Sequence, residues 1–134
     1  EQVPSEDEMN LLMKEFGDNP FIGYWHDFGH IQRKHNLLIL NHEQCLRRMS
    51  SHLIGGHVND VKWPARDHQV PLLGGVVPFE RLLPFFPHGV PLVWELSSRV
   101  SSEDIRAARK LWMEKFKGES NETRRNLESC PGCR

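Results

Sequence analysis

Apolar positions along this chain follow two patterns in turn, helical spacing and short continuous runs. Met9, Leu12, Met13 and Phe16 fall three or four residues apart, the spacing of one helix face. Ser5 precedes them as a cap for the free amides, Glu8 completes a capping box, and Gly17 ends the segment. Residues 21–25 form a short apolar aromatic run that predicts a buried strand, and they lead into the polar cluster His26-Asp27-Phe28-Gly29-His30. A loop and a second helix are predicted over about 37–51, with Leu40, Cys45, Leu46 and Met49 facing inward. A second strand follows over 53–59 and ends at Asp60. Residues 62–77 hold Trp63, two prolines and Gly74-Gly75, and read as a long loop of the kind that often carries function. Residues 78–86 predict a short helix opened by a first-turn proline. A third strand over 90–94 ends at Glu95. The last helix is capped at Ser101 or Ser102 and runs to about Phe116, with Ile105, Ala108, Leu111, Trp112 and Phe116 as its apolar face. Residues 118–134 are polar and non-periodic, and are expected to be a disordered tail.

Alternation of helices with apolar strands implies an α/β fold whose strands pair in parallel through right-handed crossovers. About three parallel strands alternating with four helices leave two bare sheet edges, whereas a closed (β/α)8 TIM barrel takes about 250 residues. Residues 1–117 are therefore expected to be part of such a barrel, a fragment of something larger. Bare edges also predict pairing with another chain, so a homo-oligomer is a candidate state.

Composition narrows the function classes. The 17 basic residues nearly balance the 18 acidic ones, without the basic surplus of a nucleic-acid binder. Apolar runs of a few residues predict no membrane span. No charged-then-apolar leader opens the chain, which starts at Glu1 and reads as trimmed. Three cysteines, two of them in the polar tail, make no disulfide framework and point to a reducing, cytoplasmic setting. Cys130-Pro131-Gly132-Cys133 has Cys-x-x-Cys spacing but no second pair, and reads as plain tail.

Asp27, His57 and Glu95 each stand at the C-terminal end of a predicted strand, separated by 30 and 38 residues, about one βα unit each. Parallel strands open their C-terminal ends on one face, so the three side chains are expected to converge. Two carboxylates and an imidazole suit a divalent ion: manganese, magnesium, cobalt or zinc. Four of the eight histidines, His35, His42, His52 and His88, carry no local signal and read as ordinary surface groups.

Four segments then carry a resemblance. Tyr24-Trp25-His26-Asp27-Phe28-Gly29-His30 resembles the Asp-x-Gly-His segment of the xylose-isomerase-like barrel superfamily. Gly55-Gly56-His57-Val58-Asn59-Asp60 is similar to its Gly-x-His-x-x-Asp strand. Asp67-His68 with Pro71, Gly74 and Gly75 resembles its Asp-His loop, and Val93-Trp94-Glu95-Leu96 its closing strand. Order and spacing agree over about residues 4–117, the C-terminal half of such a barrel.

The resemblance implies a sugar isomerase or epimerase acting on a small sugar or polyol. It makes Asp27, His57 and Glu95 metal ligands, with a further glutamate expected on a strand before residue 1. Glu95 and His30 would be catalytic, and the reaction would pass through a metal-stabilised enediolate. His30, Arg66 and His68 would contact substrate, with Trp25, Phe28 and Trp63 as an apolar wall. The isolated fragment is expected to be inactive. Two alternatives stay open: an endonuclease IV-like apurinic-site nuclease, against which Arg66 stands where that family has aspartate, and a non-catalytic sugar-binding barrel.

Overall fold

A computed structural model of the chain describes residues 5–116. The tail over 118–134, with Cys130 and Cys133, lies outside the described residues.

Helix α1 (Glu6–Phe16) starts where the capping box predicts. The Ser5 Oγ accepts from the Glu8 amide at 3.2 Å, and Glu8 Oε2 accepts from the Ser5 amide at 2.6 Å. Its inward face is Met9 and Met13, while Leu12 and Phe16 stay exposed. Strand β1 (Tyr24–Asp27) begins later than the apolar run suggests, because Phe21 and Ile22 lie exposed on the approach. It passes without a loop into α2 (Phe28–Asn36), a helix that the polar spelling of this segment concealed. The loop and helix expected over 37–51 are a turn at residues 37–40 and α3 (His42–Met49), which starts at the Asn41 cap.

Strand β2 (Leu53–Val58) follows, and the expected long loop folds back on itself. Within it, β3 (Asp60–Lys62) and β4 (Arg66–Gln69) pair antiparallel about a turn holding the cis Trp63–Pro64 peptide. A one-turn helix α4 (Phe79–Leu82), strand β5 (Leu92–Trp94) and helix α5 (Ser102–Phe116) complete the described residues. Among the described residues the fold is mixed α/β, with five α-helices rather than four and a parallel sheet of order β1-β2-β5.

The sheet has two unlike faces. Toward the helices point Tyr24, His26, Val58 and Trp94, packed with Phe28, Leu46, Met49, Phe79 and Leu82 into one core. Phe28 is fully buried and stacks on Phe86 with 5.2 Å between ring centroids, so it cannot belong to a wall beside the substrate as expected. The other face carries Trp25 and Asp27 of β1 beside Gly55 and His57 of β2, with Val93 of β5 opposite His57. Trp25 and Val93 remain 37% and 48% exposed there, which leaves an apolar sheet surface uncovered among the described residues.

A polar chain runs through the helical side. His42, expected at the surface, is buried, as are His26 and Gln32. Tyr24 Oη lies 3.0 Å from His26 Nδ1, His26 Nε2 lies 3.0 Å from His42 Nε2, and His42 Nδ1 lies 2.8 Å from Gln32 Oε1. The Gln32 carbonyl can only accept, so His42 carries its proton on Nδ1 and accepts at Nε2. His26 must then donate from Nε2 and accept from the tyrosine. The Cys45 thiol bonds the Tyr24 hydroxyl at one end, and Gln32 Nε2 donates to Asn36 at the other. With both imidazoles neutral, as their burial favours, every link runs in one direction. Burial, reinforced by the neighbouring imidazole, holds His26 well below the usual histidine range. Burial and then the nearby His35 press His42 down to about 3.

Both histidines gain protons more easily in the unfolded chain, so stability is full above the unfolded value and falls as pH drops through it. Denaturant unfolding is expected to show roughly 2 kcal/mol less stability at pH 5 than at pH 7 from His42 alone. A flat profile between those pH values would show that the imidazoles are not buried as neutral groups.

Candidate metal centre

Asp27 serves two elements at once. It ends β1 and caps α2, where its Oδ1 accepts from the His30 amide at 2.9 Å. The same oxygen accepts from Asn59 Nδ2 at 3.3 Å. Oδ1 is thereby fixed, and Oδ2 is turned toward His57 Nδ1 at 3.6 Å and His30 Nδ1 at 3.4 Å. Asn59 is fully buried, and its Oδ1 has no hydrogen-bond partner among the described residues. That oxygen presses on Gly29, where an added Cβ would meet it at 1.7 Å. Glycine at the second position of α2 is what allows the helix start and the strand end to meet.

His57 reaches the site from β2, directly opposite Asp27 in the parallel ladder. Glu95 follows β5, and its amide continues the ladder by donating to the Val58 carbonyl at 3.2 Å. Its Oε2 lies 3.2 Å from His57 Nδ1. One donor atom from each of Asp27, His57 and Glu95 lies within 4.8 Å of the other two. Two carboxylates this close repel unless a positive charge lies between them. A protonated His57 can supply it, and so can a divalent cation bound by all three groups. The donor set of two oxygens and one nitrogen suits such a cation, and among the described residues no lysine or arginine forms a salt bridge with Glu95 or Asp27.

A second group adjoins the first. Donor atoms of His30, Asp67 and His68 also lie within 4.8 Å of one another. His68 sits on β4 at φ 51, and its Nε2 is 3.6 Å from Glu95 Oε2. Its ring meets that of His30 edge-on at 5.1 Å. Asp67 is ion-paired with Arg33 of α2 and lies 3.2 Å from His68 Nδ1. Partial burial works to raise the Asp67 carboxyl, but the His68 hydrogen bond and the Arg33 charge outweigh it and hold the group below its usual range.

The remaining candidates separate. The Trp25 ring lies over Gly55, where a Cβ would strike it at 2.3 Å, and meets His57 edge-on at 5.4 Å. Trp63 sits in the hairpin turn and makes no ring contact among the described residues. Arg66 opens β4 and is exposed. Asp60, the acid after the second motif, is buried away from the donors. Its Oδ1 accepts from Val61 and Val77 amides at 2.8 and 3.0 Å, and its Oδ2 from Leu72 at 3.3 Å, so it pins the loop that returns from the hairpin. Burial raises its carboxyl despite those bonds.

Sequence reasoning gave no role to Asn59 and Asp67, although both lie inside its motifs, and it missed Arg33 altogether. An asparagine directly after Val58 at the end of a predicted apolar strand was the available signal for the first. Nothing local links Arg33 to Asp67. No protein-family profile matches the chain, and no curated protein matches it in sequence.

Gly29→Ala is expected to cost about 1–3 kcal/mol in denaturant unfolding, because the methyl group overpacks Asn59. In an Asn59→Ala background the same change should cost markedly less, since the close contacts all belong to that side chain. Equal costs in both backgrounds would refute the contact.

Proposed function

We propose that the chain is the C-terminal part of a xylose-isomerase-like (β/α)8 barrel that isomerises or epimerises a small sugar or polyol with the help of a divalent ion. The observation that carries the reading is the meeting of Asp27, His57 and Glu95 donor atoms within 4.8 Å at the C-terminal ends of adjacent parallel strands. Barrel enzymes place their chemistry at that end. The uncovered apolar face and the bare edges of β1 and β5 further support a sheet that continues in a longer protein, or else against another copy of the chain. No helix among the described residues is long and apolar enough to cross a membrane, which agrees with the proposed cytoplasmic setting.

In this reading Asp27, His57 and Glu95 would hold manganese, magnesium, cobalt or zinc, which when bound would supply positive charge for the negative charge that grows beside a carbonyl. Glu95 removes and returns the proton at the neighbouring carbon, its carboxylate held beside His57 at 3.2 Å. A glutamate from another strand completes the exchange in an epimerase. His30 donates to the oxygen where negative charge grows, with its ring held between Asp27 and His68. Trp25 offers an apolar edge to the sugar, and Arg66 and His68 contact its polar groups.

The adjoining His30, Asp67 and His68 donors favour a second reading, a multinuclear nuclease of the endonuclease IV type. Ion stoichiometry separates the two.

Manganese titrated into the chain should bind one ion, and Asp27→Ala, His57→Ala or Glu95→Ala should each weaken it by about tenfold or more. The parent protein should exchange deuterium from solvent into the carbon next to a ketose carbonyl. Unchanged manganese affinity in all three variants rules out the centre. Two or more zinc ions with nicking of abasic DNA establishes the nuclease, and sugar binding without exchange establishes a non-catalytic barrel.

A further inference from the structure

The β3–β4 hairpin is irregular at the residues that approach the metal centre. Asp60 pairs with Gln69 and Lys62 with Arg66, so Asp67 and His68 together stand opposite Val61. Two residues against one make a β-bulge, a device that re-aims side chains. Neighbours in a regular strand point to opposite faces, yet Asp67 Oδ1 lies 3.2 Å from His68 Nδ1. The left-handed backbone of His68, at φ 51, turns both side chains to one side. Glu95 Oε2 then has an imidazole nitrogen of His57 at 3.2 Å and one of His68 at 3.6 Å.

A residue with a side chain is strained in that backbone region, and it stays there where its surroundings hold it. Two bonds act on the bulge backbone: the Ser97 amide donates to the His68 carbonyl at 2.8 Å, and Gln69 Nε2 donates to the Asp67 carbonyl at 2.9 Å. The side chains are held from α2. His30 and Arg33 lie one turn apart on that helix, the first meeting the His68 ring edge-on at 5.1 Å and the second bonded to Asp67 Oδ2. The Arg33 side chain is 46% exposed, and a pair so exposed adds little to stability. What it fixes is the place of Asp67, and through Asp67 the ring that faces Glu95.

We infer that Arg33 is a positioning residue of the metal centre: it ties the Asp67–His68 bulge to α2 and so keeps the His68 imidazole beside Glu95. The inference rests on the reading above for Glu95 as a metal donor, and it gives that donor a support running from α2 through the hairpin. Groups that hold a metal ligand from behind govern affinity without touching the ion. Arg33 does so from two residues further out, across 34 residues of sequence.

The test reads ring position and metal affinity separately. In EDTA, the unaltered chain should show a nuclear Overhauser cross-peak between the His30 and His68 ring protons. Arg33→Ala should lose it and Arg33→Lys should restore it, while the denaturant midpoint of both stays close to that of the unaltered chain. Asp67→Asn should lose it too, and the double variant should be no worse than either single one. Manganese affinity should fall about fivefold in Arg33→Ala and return in Arg33→Lys. Arg106→Ala, which breaks an exposed ion pair on α5, should leave both readouts unchanged. The inference is overturned if the cross-peak survives in Arg33→Ala, if it is lost with manganese affinity unaltered, or if Arg106→Ala has the same effect. Because the ring contact is read without metal, it judges Arg33 alone, whereas manganese titration of the unaltered chain judges the centre.

Discussion

Parallel pairing keeps Asp27 level with His57, and His57 level with Val93, so that the next residue but one on the third strand is Glu95. Three side chains distant in sequence meet because the ladder leaves them no other place to go. A shift of one residue in any strand would turn its donor toward the helices and its core residue toward the open face. A bulge is tolerated only at Tyr24/Trp25, before the donors, where Leu53 pairs with Tyr24 and Gly55 with Trp25. Beyond it the register runs unbroken to the strand ends, and the meeting of the three side chains depends on that stretch.

The two faces of the sheet handle polarity in opposite ways. On the helical face imidazoles are kept neutral, each nitrogen matched to one partner, because an uncompensated charge there would carry a large desolvation cost. On the other face the donors keep solvent access: the Asp27, His57 and Glu95 side chains are 15%, 37% and 44% exposed. Charge is affordable there, and the opposing signs needed to balance it can come from a bound ion or a protonated His57. Neighbouring residues of one strand, His26 and Asp27, thus belong to separate electrostatic worlds.

Much of this was readable before any coordinates. The capping box marked the start of α1, the apolar runs located the three parallel strands, and the polar residue at each strand end pointed to the three side chains that converge. What escaped was local order in polar dress. Helix α2 holds few apolar residues, and its buried positions include Gly29 and Gln32, so hydrophobic spacing does not reveal it. The hairpin hid in a segment broken by prolines and glycines, because β3 and β4 are short and β4 is largely polar. His42 looked like a surface histidine because its partners, His26 and Gln32, lie 16 and 10 residues away. Hydrogen-bond partners set by tertiary packing leave no periodic trace in the chain.

The Trp25 ring resting beside His57 has a consequence for spectroscopy. Protonated imidazole is an efficient acceptor of an excited indole electron, while the neutral ring is a poor one. An indole 5.4 Å from that imidazole therefore senses whether its neighbour carries a proton. Of the four tryptophans in the chain, Trp94 and Trp112 pack against each other on the far side of the sheet and Trp63 occupies the hairpin turn, so emission from Trp25 can be isolated by replacing the others. The molecule carries its own optical gauge of the state of its central histidine.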